Sequence, residues 1–244
     1  MSFPKYESYK DSGVKWLNEL PKHWEISNLK RFITTKKGLA FKAEFFGFEG
    51  VRVVKASDIK EFSVRESEVF LPLRFVAEYP QAILHKGDII LSTVGSTPDV
   101  KNSAVGQLAK TPQNIEGSLL NQNTVVFLVN NLLELDNNFL FLLLQTSRYR
   151  DHLDINAHGT ANQASLNISD MLDFVITIPT LEEQKIIAQF IDQETTKIDN
   201  LSSEAIDVIS LLKERRSALI SSAVTGKIDV RNFVPSQSQV EAMA

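Results

Sequence analysis

The residues of this 244-residue chain that could carry chemistry fall into one acid–lysine pattern and three polar loops. Asp88 is followed eleven residues later by Asp99-Val100-Lys101. Two such carboxylates can hold Mg²⁺ and a neighbouring lysine can orient a water, so the pattern is a candidate metal-dependent nuclease site. Against it, Lys86-Gly87-Asp88 reads as a turn, and Asp99 follows Thr97-Pro98 in a loop rather than on the partner strand such a site needs. The rest of the search is negative. There is no GxxxxGK[ST], no GxGxxG after a strand, no HExxH and no GxSxG. His23, His85, His152 and His158 have no metal-ligand spacing. Cysteine is absent, which excludes disulfides, thiolate metal sites and cysteine nucleophiles. The residues describe a binder.

The three polar loops are the candidate recognition surface. Ser92-Thr93-Val94-Gly95-Ser96-Thr97 follows an apolar strand, Asn121-Gln122-Asn123 precedes one, and 158–163 lies between a helix and a strand. Asn and Gln amides match the edge of an adenine in the major groove, which makes Gln122, Asn123, Asn162 and Gln163 candidates for base contacts. Hydroxyls and cations suit phosphates. The candidates there are Lys36, Lys37, Arg74, Lys86, Ser92, Thr93, Ser96, Lys101 and Thr160, with Lys42 and Lys55 on the same rim. Each residue type is also an ordinary loop former, so no single loop carries the reading.

Charge is divided along the chain. Residues 1–110 carry 17 Lys+Arg against 13 Asp+Glu, and residues 111–244 carry 9 against 17. The overall charge of −4 argues mildly against a nucleic-acid binder but leaves room for a basic face in the first half. The longest apolar run, residues 139–144, is far below the roughly 20 residues that span a bilayer. With no apolar run behind the N-terminal lysines, the expectation is a soluble, cytoplasmic protein.

These loops need a frame. Short strands are expected at VRVV from Val51, VFLPL from Val69, on both sides of the Lys86–Asp88 turn (82–84 and 89–91), at TVVFLV from Thr124, and at FVITIP ending at Pro179. Leu29, Phe32 and Ile33 recur at helical spacing, which predicts a short helix after the opening segment. A second helix is predicted over 137–152, capped by Asp136, with residues 156–167 as a loop. After Pro179 the period changes. Thr180 and Glu183 form a capping-box pattern, and Gly226 is a natural stop. A 4-3 spacing runs through Ile187, Ile191, Glu194, Ile198, Leu201, Ala205, Val208, Leu212, Arg215 and Leu219, with only Glu194 and Arg215 polar. A helix from Leu181 to Ala223 would extend about 65 Å, too far to bury its stripe against its own domain, so it must meet a partner helix.

Taken in order, three segments carry a family resemblance. YKDSGVKWLNELPKHWEISNLK from Tyr9, then GDIILSTVGSTPDVKNSAVGQLA from Gly87 with LLNQNTVVF from Leu119, then PTLEEQKIIAQFID from Pro179 with LLKERRSALISSAVTGKIDV from Leu211, resemble the specificity (S) subunits of type I restriction-modification enzymes. The resemblance implies an α+β fold, with a mixed-sheet target recognition domain (1–179), one long coiled-coil spacer helix (180–226) and a tail (227–244). It implies sequence-specific binding of double-stranded DNA without catalysis in this chain. Modification subunits would methylate adenine with S-adenosylmethionine, and motor/restriction subunits would use ATP and Mg²⁺. A standard member carries two recognition domains and two spacer helices, where this sequence has one of each, so the expectation is a homodimer through the seam. The competing readings are a stand-alone Mg²⁺-dependent nuclease and a helical scaffold without DNA binding.

Overall fold

The structure, a computed structural model, describes residues 4–96, 103–160 and 163–234, the Thr160 side chain excepted. Its strands are β1 (Tyr9–Asp11), β2 (Glu19–Pro21), β3 (Glu25–Asn28), β4 (Ile33–Lys37), β5 (Val51–Val54), β6 (Ile59–Lys60), β7 (Ser63–Val64) and β8 (Phe70–Leu71). They continue as β9 (Ile89–Ser92), β10 (Val94–Gly95), β11 (Leu108–Lys110), β12 (Leu119–Leu120), β13 (Thr124–Val129), β14 (His158–Thr160), β15 (Gln163–Ser165) and β16 (Val175–Ile178). The helices are α1 (Arg74–Glu78), α2 (Asn137–Leu144), α3 (Ser147–Ile155), α4 (Ile168–Leu172) and α5 (Leu181–Val224).

β13 reads TVVFLV, nearly apolar throughout, because both of its faces are covered. It is the third strand of an antiparallel sheet ordered β11-β9-β13-β4. Alternation sends Val125 and Phe127, with Ile89 and Leu91, to a core completed by Leu140, Tyr149, Leu153 and Met171 of α2–α4. It sends Val126, with Ile90 and Ala109, to the opposite core, against Val54, Ile59, Leu84 and Leu120. Each such buried Val, Leu or Ile contributes about 1.5–3 kcal/mol. Tyr149 keeps its polar end satisfied by donating to the Met171 carbonyl at 3.2 Å, and burial pushes its phenol pKa up. A smaller sheet, β12-β5-β8, encloses a third cluster around Val53, Leu71 and Phe75.

Several expected elements change form. Leu29–Arg31 is a single 3₁₀ turn rather than a short α-helix, and Ile33 already belongs to β4. All three apolar residues are buried regardless, since a turn entering a strand inward produces the same spacing as a helix face. The strand expected at 82–84 is a 3₁₀ turn, Pro80–Ala82, followed by a lone bridge from Ile83 to Leu119. Pro80 suits that turn and donates no ladder hydrogen bond. The helix expected over 137–152 is two helices. Asp136 caps α2 through the amides of Asn138 and Phe139, and the Thr146 hydroxyl starts α3 by accepting from the Tyr149 amide. The loop expected at 156–167 contains β14 and β15.

α5 has 44 residues and begins as its capping box predicts. The Glu183 amide donates to Thr180 Oγ1 and the Thr180 amide to Glu183 Oε2, both at 3.3 Å. Gln184, fully buried, donates from Nε2 to the Glu134 and Pro179 carbonyls at 3.0 Å and accepts from the Asp136 amide at 2.8 Å. The helix ends at Gly226, whose φ of +73° is the left-handed conformation that glycine adopts without strain. Contacts divide the chain into two units, Met1–Gln189 and Phe190–Ala244. In the second, Ile198, Leu201, Val208, Leu212 and Leu219 all stand more than half exposed.

Candidate nucleic-acid interface

The register of the central sheet places the ends of three strands together. Thr124 sits opposite Ser92 and Val125 opposite Lys37, so the start of β13 and the ends of β9 and β4 share one sheet end. From there the chain enters β10, which pairs with β15, itself paired with β14. Two polar segments far apart in sequence thereby become one small sheet, and the third touches it through Thr93. The Thr93 amide donates to the Asn123 carbonyl and the Leu166 amide to the Thr93 carbonyl, both at 2.9 Å. Glycine permits the crowding. A Cβ on Gly95 would lie 2.2 Å from the Val105 nitrogen, and one on Gly38 would lie 1.9 Å from the Asn121 carbonyl oxygen.

On this end Gln122 and Gln163 are exposed and Asn123 is half-buried. Among the described residues their side-chain amides make no hydrogen bond, which leaves donor and acceptor available to a base edge. Lys37 is exposed beside them, and Thr93 and Ser96 are half-buried. Thr160 pairs through its backbone with Gln163. Asn162, Asp99 and Lys101 lie outside the described residues.

Other candidates are committed elsewhere. Ser92 is fully buried and its hydroxyl donates to the Val94 carbonyl at 3.1 Å, so it shapes the turn into β10 instead of meeting a phosphate. Lys36 donates to the Ile83 carbonyl at 2.6 Å and lies 3.8 Å from Asp88 Oδ2, tying β4 to the turn before β9. Lys86 is exposed but precedes β9, at the opposite sheet end from Thr93. Arg74 lies on α1, 3.4 Å from Glu78 and 5.4 Å from the centre of the Phe75 ring. The nuclease reading loses Asp88, whose Oδ2 accepts from the His85 amide at 3.0 Å and closes its own turn. Among the described residues no group of three or more His, Asp or Glu side chains could hold a metal ion.

Two positioning residues escaped the sequence reading. Arg150 on α3 donates to the Val105 carbonyl at 2.9 Å, and Ser103 donates to the Ser96 carbonyl, so together they brace the segment against which Gly95 packs. The Arg150 contact spans 45 residues, so no local pattern announces it. Lys55, noted only as a rim cation, is brought beside Asn121 by the parallel pairing of β5 with β12 and by the Asn121 amide donating to the Val54 carbonyl.

Two of the histidines brace elements of the fold. His152 Nε2 bonds the Asp170 carbonyl oxygen at 2.7 Å, and His23 Nε2 lies 2.9 Å from Glu183 Oε1. Burial pushes the Glu183 carboxyl up, but hydrogen bonds from His23, Trp24 and Thr180 outweigh it and hold the pKa below the usual carboxylate range. No helix among the described residues is long and apolar enough to cross a membrane.

A mixed-sheet domain gathers polar loops at one sheet end and runs from its last strand into a 44-residue helix. The chain belongs to the type I restriction modification DNA specificity domain family, whose model matches residues 21–210. It is similar to the specificity subunit of the type I restriction enzyme MjaVIII of Methanocaldococcus jannaschii, 28% identical over 230 residues, covering 94% of this chain and 51% of that subunit. The chain thus spans about half the length of the curated relatives it matches. It shares its fold with a chain from a structure of type I R-M system assembly (TM-score 0.65, 18% identity, 88% of this chain and 48% of that one). It also resembles the HsdS subunit from Thermoanaerobacter tengcongensis (TM-score 0.56, 18% identity, 90% and 48%).

Proposed function

We propose that this chain reads one half of a bipartite DNA target for a type I restriction-modification complex and that two copies, paired through α5, supply both halves. Residues 1–179 are the recognition domain, 180–226 the spacer helix and 227–244 a tail. The observation that carries the reading is that Thr93 joins the Gln122–Asn123 loop to the small sheet that holds Gln163, with Lys37 at the same end of the central sheet. The side-chain amides read base edges there while the cation meets the backbone. The seam from Ile187 to Leu219 pairs antiparallel as a coiled coil, which hides the apolar side chains that α5 exposes from Ile198 onward, while Ile187 also packs against the core of its own domain. Modification subunits carrying S-adenosylmethionine methylate adenine within the target, and motor subunits use ATP and Mg²⁺ to restrict unmodified DNA.

The test is methylome sequencing of cells that express this chain with its methyltransferase partner. One interrupted adenine-methylated motif that disappears when this chain is deleted is the expected result. Methylation unchanged by the deletion removes the role.

A further inference from the structure

At the root of α5 lies a cavity of about 300 Å³ lined by His23, Glu25, Phe32, Glu134, Ile178 and Thr180, with Arg31 and Pro179 completing its wall. Leu133, which precedes the lining residue Glu134 in sequence, stands 80% exposed. At the other end of the chain the segment after Gly226 places Val230, Phe233 and Val234 in solvent. Among the described residues nothing covers the apolar segment or the part-apolar cavity.

We propose that the tail after Gly226 of one copy seats in this cavity of the second copy. The inference rests on the antiparallel pairing proposed above, and helix arithmetic supplies the match. If Glu194 of one copy lies opposite Arg215 of the other, then Gly226 lies level with the partner's Glu183, because each is eleven residues further out. Sliding to the register that stacks Ile191 on Arg215 moves this by one turn, to the partner's Thr180, which lines the cavity. In both registers the tail is released at the partner's helix root. Its own root is out of range, since 44 helical residues extend about 66 Å and the eight residues from Gly226 to Val234 reach at most about 28 Å. Charge agrees. The tail carries Lys227, with Asp229 and Arg231 already paired to each other at 2.7 Å, while the cavity presents Glu25 and Glu134 against one arginine. Apolar side chains of the tail meet Phe32, Ile178 and Leu133.

The absence of cysteine makes the test clean. Full-length chains carrying Leu133→Cys and Val230→Cys are mixed and treated with a short bismaleimide. A second mixture, Lys197→Cys with Leu211→Cys, reports the antiparallel coil itself, since these positions flank the seam and face each other in that pairing. Covalent dimer in both mixtures, and in neither mutant alone, is the expected result. A chain ending at Gly226 should then dimerise at least tenfold more weakly while the coil pair still cross-links. Cross-linking of the coil pair without the tail pair overturns the inference and leaves the dimer standing. Failure of both, with monomer in light scattering, overturns the dimer and the inference together.

Discussion

Gln122 and Lys36 show how burial and partners sort side chains of similar promise. Gln122 and Gln163 are exposed, and among the described residues their amides make no hydrogen bond, whereas the Lys36 ammonium is held between the Ile83 carbonyl and Asp88. Replacing Gln122, Asn123 and Gln163 with alanine should cut discrimination between target and non-target duplex by about 1–3 kcal/mol for each bidentate pair lost. Lys37→Ala should weaken both duplexes equally and shallow the salt dependence, which titrations at two salt concentrations separate. Lys36→Met should act on folding instead, leaving a carbonyl without its donor at a cost of about 1–3 kcal/mol in a urea melt. Glu183 gives a pH signature. Its folded pKa lies below its unfolded one, so its contribution is present above the unfolded value, near 4.3, and fades as pH falls through the folded value. Thermal melts of the wild type at pH 7, 5 and 3 should therefore show a loss between pH 5 and 3 that is smaller in Glu183→Gln. An equal loss in both would assign the acid sensitivity to other carboxylates.

At the scale of elements, the parts legible in the sequence were those whose cause is local. β13 follows from an apolar run, α2 from its Asp136 cap, and α5 from a heptad, a capping box and a terminal glycine. The parts that eluded it depend on distant partners. β14 and β15 are too short and polar to announce themselves, and they are strands because β10 supplies the other edge. Thr146 splits a helical pattern with one hydroxyl, and Leu29–Ile33 mimics a helix because a turn and a strand share its spacing. The site was legible as three loops but not as one place, since the hydrogen bonds of Thr93 to Asn123 and Leu166 join residues 30 and 73 positions apart. The heptad seam is the element with the sharpest consequence. Ile198→Asp with Leu212→Asp should give monomer in light scattering, because losing one buried leucine or isoleucine commonly costs about 2–5 kcal/mol. Glu194→Arg should weaken the dimer and adding Arg215→Glu should partly restore it, an ion pair that sets register more than it adds stability. A double mutant no better than the sum of the singles would show that these two side chains do not meet.

If two copies pair as proposed, symmetry turns one recognition surface into two. A two-fold dimer presents the same sheet end twice with opposite polarity, so the methylated motif should be an interrupted palindrome, a half-site and its reverse complement about a fixed spacer. An unrelated pair of half-sites, from cells in which this is the sole specificity chain, would exclude the homodimer. In the proposed dimer the helix sets the separation, so the spacer should answer to coil length and not to Thr93 or Gln163. Inserting seven residues near Ala205 keeps the heptad phase and lengthens each helix by about 10 Å. Along B-form DNA, at about 3.4 Å per base pair, that is close to three base pairs. The same step turns one half-site by roughly 100° around a duplex of about 10.5 base pairs per turn, and the coil has to absorb that rotation. Methylome sequencing of the insertion variant should therefore return unchanged half-sites, with a spacer longer by about three base pairs or with methylation abolished. A variant that methylates the original spacing as well as the wild type does would show that α5 is not the ruler.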